Sequence, residues 1–138
     1  MIRGGKVLAT GGNEGAGIGG GKGGAGGTIV ISGGDVLATG GINGAGIGGG
    51  SGKNVSGGII TITGGTVTAS VQSGSGTNTE AIGHGYKYLD SGILTLKQVL
   101  VSAGNDADSA TAVTGDGRVA ACRSRYAKLE ALSCTSVR

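Results

Sequence analysis

Apolar and polar residues alternate with period two in short runs, and glycine-rich stretches separate those runs. Period two puts successive side chains on opposite faces, so each run predicts a half-buried β-strand. Three kinds of segment recur. The first is Thr28-Ile29-Val30-Ile31-Ser32, followed by Ile59-Ile60-Thr61-Ile62-Thr63 and Ile93-Leu94-Thr95-Leu96-Lys97. The second is Val7-Leu8-Ala9-Thr10, then Val36-Leu37-Ala38-Thr39, Val67-Thr68-Ala69-Ser70 and Val99-Leu100-Val101-Ser102. The third is Ala16-Gly17-Ile18-Gly19-Gly20-Gly21, its copy at 45–50, and the altered Ala81-Ile82-Gly83-His84-Gly85. Ile29 and Ile31 share one face, as do Ile60 with Ile62 and Leu94 with Leu96. Val7 and Ala9 correspond to Val36 and Ala38, Val67 and Ala69, and Val99 and Val101. The opposite face carries Thr28, Val30, Ser32, Thr61 and Thr63, and its hydroxyls place it outside.

The stretch VLATGGNEGAGIGGG at 7–21 returns as VLATGGINGAGIGGG at 36–50, an offset of 29 residues. Self-similarity at such a period predicts stacked coils. The expected fold is all-β: a parallel β-solenoid (β-helix) with about three short strands per turn and about three to four coils, roughly 15–20 Å tall. Residues 1–104 form the glycine-rich array and 105–138 a C-terminal capping segment. In that segment Asn105-Asp106-Ala107-Asp108-Ser109 reads as a polar turn. Residues 118–123 and 126–130 read as two final strands, or as one strand and a short helix. The pairs Gly33-Gly34 and Gly64-Gly65 predict corners, because glycine takes positive φ freely. Packed polyglycine-II helices over 15–27 are the alternative, which the Val-Leu-Ala-Thr and Thr-Ile-Val-Ile segments fit poorly.

Composition narrows the core. Glycine supplies 35 of 138 residues, Pro, Phe and Trp are absent, and Tyr occurs three times. The interior must therefore be slim and lined by Ile, Val, Leu and Ala. Twenty-seven of the glycines lie in 1–66, so the later coils are a degenerate continuation. The net charge of +3 comes from scattered residues, whereas a nucleic-acid surface needs a clustered basic face. Five basic residues after 117 read as a solvated end cap. No apolar run reaches the 18 residues of a membrane-spanning helix. Residues 1–7 align with 30–36, so the chain opens partway through a strand. That points to a piece of a longer product, or to a neighbouring molecule that supplies the rest.

Candidate chemistry is sparse. Gly15-Ala16-Gly17-Ile18-Gly19-Gly20 matches the dinucleotide fingerprint in form, but glycines follow where a helix is needed. Gly21-Lys22-Gly23 lacks the Ser or Thr of a phosphate loop. Gly11-Gly12-Asn13-Glu14-Gly15 has Ala16 where a calcium nonapeptide needs Asp. No cofactor or metal is expected. Thr61 with Thr63 and Thr66 with Thr68 would suit an ice-binding hydroxyl ladder, but Val30, Leu8 and Leu37 interrupt it, so they read as ordinary outward residues. His84, the sole histidine, lacks the companions of a metal site. As a general base oriented by Glu80 or Asp90 it has no evident nucleophile. Tyr86 and Tyr88 share a face if 85–89 is extended. Beside Asp90 they can stack on a sugar ring, or they cover the edge of a distorted coil. The candidate ligand contacts are His84, Tyr86, Tyr88 and Asp90.

The run GGDVLATGGINGAGIGGG with ITITGGTVTAS resembles the glycine-rich repeat of large secreted and cell-surface β-solenoid proteins from gut and soil bacteria. The resemblance covers residues 4–70 closely and 80–102 loosely, and 107–130 resembles the segment that closes such arrays. It implies an extracellular setting and a role in surface structure, adhesion or carbohydrate contact. Distantly similar solenoids that cleave pectin-like polysaccharides carry clustered Asp and Arg residues, which this sequence lacks. In that setting Cys122 and Cys134 either close a disulfide, worth about 2–3 kcal/mol to a thin cap, or both stay reduced. The resulting expectation is a non-enzymatic structural or adhesive module of a bacterial surface protein or fibre. It would self-associate through exposed strands at the solenoid ends. A carbohydrate-binding module built on Tyr86 and Tyr88, with a polysaccharide partner, is the second expectation.

Overall fold

The computed structural model of the chain describes residues 1–76, 79–86, 92–96, 99–104, 111–113 and 126–131. Every regular element among them is a strand. The first coil holds β1 (Lys6–Thr10), β2 (Ile18–Gly19) and β3 (Thr28–Ile31). The second holds β4 (Asp35–Thr39), β5 (Ile47–Gly48) and β6 (Ile59–Ile62). The third holds β7 (Thr66–Ser70), β8 (Ile82–Gly83) and β9 (Ile93–Leu96). Equivalent strands of successive coils pair in parallel, giving a first sheet β1-β4-β7, a second β2-β5-β8 and a third β3-β6-β9. This is the parallel β-solenoid that the repeat predicts, with three coils in register.

Like residues lie over one another: Val7, Val36 and Val67 in the first sheet, Ile29, Ile60 and Leu94 in the third. The period-two pattern sets which of them face inward. Ile31, Val36, Ile47, Ile60, Ile62, Val67 and Ile82 are fully buried and form one continuous core with Ala38, Ala69 and Ala81. Corners between the third and first sheets use the second glycine of each pair, at φ 91° for Gly34 and 81° for Gly65. The run 15–27 is part of this coil and not a polyglycine helix. It contains β2, and its backbone bonds to the second coil, for example Gly20 N–H to Gly48 O at 2.9 Å.

Two details differ from the sequence reading. Ile82 pairs with Ile47, so Ala81 lies over Gly46 and Glu80 over Ala45. The third coil is thus offset by one residue from the alignment of Ala81 with Ala45. The second detail concerns β10 (Val99–Gly104), expected to stack on Val67-Thr68-Ala69-Ser70. It lies one strand farther out. Between the two runs β12 (Tyr126–Ala131), antiparallel to both, with β11 (Thr111–Val113) beyond β10. Leu129 stands opposite Val67 and Ala127 opposite Ala69 in the backbone register, so β12 extends the first sheet beyond β7. The exposed groups of a strand edge need partners, and a returning antiparallel strand supplies them without a complete further coil. Residues 105–109 and 118–123 lie outside the described residues.

Candidate functional site

The chemically distinctive part of the molecule is the end of the second sheet in the third coil. Each coil reaches that sheet through a tight turn, closed by Gly15 N–H to Gly12 O, Gly44 N–H to Gly41 O, and Ser75 N–H to Gln72 O at 2.9, 2.9 and 3.2 Å. The residue before each donor has positive φ: Glu14, Asn43 and Gly74. Asn43 also ties the second coil to the third. Its Oδ1 accepts from Gly76 N–H at 2.8 Å, its N–H donates to Ser75 Oγ at 2.9 Å, and its carbonyl accepts from Tyr86 N–H at 2.8 Å.

A second closure spans each short strand of that sheet. Ala16 N–H donates to Gly20 O, Ala45 N–H to Gly49 O, and Glu80 N–H to His84 O. In the first two coils the closing residue also donates onward: Gly20 N–H to Gly48 O, and Gly49 N–H to Gly83 O, both at 2.9 Å. His84 occupies this place in the third coil, and its N–H donates to Glu80 Oε2 at 3.1 Å. The Glu80 carboxylate therefore takes the acceptor role that a neighbouring coil's carbonyl fills elsewhere. Its Oε1 lies 3.3 Å from His84 Nε2, while His84 Nδ1 lies 2.8 Å from the Gly85 carbonyl. Both ring nitrogens face acceptors, and a neutral ring donates to only one of them. Exposure is 4% for His84 and 9% for Glu80. A ligand would reach the imidazole only by displacing these contacts.

Tyr86 follows two residues on and is half-buried. Its ring lies against Gly76, leaving no room there for a Cβ, and its carbonyl accepts from Gly52 N–H at 3.0 Å and Ser51 Oγ at 3.2 Å. The structure thus brings His84 and Tyr86 to one strand end. Tyr88 and Asp90 lie outside the described residues, as do Cys122 and Cys134. Sequence reasoning named Glu80 only as an orienting acid for His84, and it missed Asn43. The signal for Glu80 was present: once the third coil is shifted by one residue, an acid replaces the Ala of both regular copies.

No three His, Cys, Asp or Glu residues converge as metal ligands among the described residues. No helix there is long and apolar enough to cross a membrane. The outer surfaces carry the remaining chemistry. The first sheet presents Lys6, Leu8 and Thr10 beside Asp35, Leu37 and Thr39, with Thr66, Thr68 and Ser70 beyond. Thr39 Oγ1 and Ser70 Oγ lie 3.3 Å apart. On the third sheet Ile59 and Ile93 are exposed neighbours. Comparison with family models, curated proteins and solved structures gives no match to this chain.

Proposed function

We propose that the chain is a non-enzymatic structural or adhesive module of an extracellular surface protein or fibre of a bacterium. One observation carries the reading. The His84–Glu80 pair, the distinctive polar group of the described residues, is used to finish a sheet, while the outer faces of the coils stay open as sheets of hydroxyls and aliphatics. Such faces offer broad contact and no enclosed site, which suits adhesion. The register of three coils supports a stiff spacer, because each coil bonds along its length to the next.

End-to-end stacking belongs to this proposal in a reduced form. The β1 edge presents backbone groups that a further coil can pair. The far end of the second sheet is closed by Glu80, and β12 displaces a fourth parallel strand in the first. The test of the main reading displays the chain on an inert cell surface and measures attachment to abiotic and polysaccharide-coated supports. Attachment above that of the bare carrier is expected, and attachment equal to the carrier overturns the reading. Carbohydrate contact rests on Tyr86, a half-buried residue whose ring lies against Gly76. A glycan array in which Tyr86→Ala loses signals given by the native chain would establish it, and a blank array for the native chain removes it.

A further inference from the structure

Leu8 and Leu37 stand side by side on the outer face of the first sheet, 72% and 42% exposed. Lys6 neighbours Asp35 in the same register, and Thr10 neighbours Thr39. Two adjacent coils therefore present the parallel rows Lys-Leu-Thr and Asp-Leu-Thr. Neither Lys6 nor Asp35 forms an ion pair with a described residue.

This arrangement is complementary to itself. A two-fold axis parallel to the strands and midway between β1 and β4 preserves position along the strand and exchanges the two rows. Lys6 then faces Asp35 of a second copy, Leu8 faces its Leu37, and Thr10 faces its Thr39. Each contact occurs twice, as in any isologous interface. An axis through β4 would instead set Asp35 against Asp35. The charges thus select the first geometry. We propose that this face joins two copies of the chain side by side, sheet against sheet at a spacing of about 10 Å.

The footprint is about 17 Å along the strands and about 10 Å across two coils. That is far below the roughly 800 Å² per partner of a standard interface, so the dimer is weak. Chains held close together on a surface reach effective concentrations of about a millimolar, where a weak lateral contact suffices. The inference stands apart from the adhesive reading, because cell attachment and solution dimerisation are measured separately. It also differs from end-to-end stacking, which pairs backbone edges and is indifferent to an outward side chain of the middle coil.

Sedimentation equilibrium of the full chain, in a series reaching about 1 mM, tests it. The native chain is expected to show a monomer–dimer equilibrium. Leu37→Glu and Lys6→Asp should each weaken it at least ~10-fold, the latter by setting like charges against one another. Combining Lys6→Asp with Asp35→Lys should bring it back to within ~3-fold of native. A native chain that stays monomeric throughout overturns the proposal whatever the variants do. So does dimerisation that neither single variant weakens, or a double variant no stronger than Lys6→Asp alone. Circular dichroism matching the native spectrum establishes that each variant is folded.

Discussion

At the scale of residues, Glu80 and His84 show how a repeat is brought to a stop. The regular coils place Ala and Gly at these positions, and the coil above accepts the glycine N–H. In the third coil the carboxylate folds back and accepts that N–H itself, with the imidazole beside it. Removing the acceptor would leave a buried donor unsatisfied. Glu80→Ala is therefore expected to lower the stability to chemical denaturation by about 1–3 kcal/mol. Glu80→Gln keeps an oxygen for the His84 N–H and should cost less. Equal losses from the two variants would argue against the capping role. Sequence alone named both residues but did not show this pairing. The roles of Glu80 and Ala45 become comparable only when the strand register is known.

At the scale of elements, the two-residue strands of the second sheet explain much of the glycine content. In β5, Ile47 fills the core and Gly48 lets the next coil approach. Gly48 has φ 134°, and an added Cβ would meet the Gly83 carbonyl oxygen. Gly48→Ala combines backbone strain with a collision between coils, so a loss above about 2 kcal/mol is expected. Gly21 is exposed, and a Cβ there meets nothing within 4 Å. Gly21→Ala should change stability by less than about 0.5 kcal/mol, or raise it slightly through the unfolded chain. Thermal unfolding of the two variants side by side checks the contrast. Composition made glycine look uniform along 1–66, but the coil divides it into positions that are required and positions that are merely open.

At the scale of the whole molecule, the first sheet is both the longest and the least regular. It begins as a parallel stack and continues as an antiparallel one, with β12 bonded to β7 on one side and β10 on the other. Lys128 lies mid-strand in β12, opposite Thr68 and Ser102. Lys128→Pro removes a ladder donor from an internal strand and is expected to cost about 1–3 kcal/mol. Hydrogen exchange locates the damage. Amides of Val67 and Ala69, which alternate away from the second coil toward β12, should lose protection, while Thr66 N–H, bonded to Gly34 O, and the amides pairing β1 with β4 keep it. Loss of protection spread evenly over all three coils would contradict this division.

What the sequence determined by itself is the coil: which face of each strand is buried, where the corners fall, and that Val7, Val36 and Val67 lie in one column. Those features follow from local alternation and from a repeat that imposes the same backbone path on each copy. Only the tertiary structure decided that residues 126–131 enter between 66–70 and 99–104, that Glu80 caps the His84 N–H, and that the Leu8 and Leu37 side chains, already in one register by the repeat, stay exposed on the outer face. No periodic signal marks an antiparallel return across so long a separation. The partner of an edge is chosen by which strand reaches it, and that is a property of the folded chain.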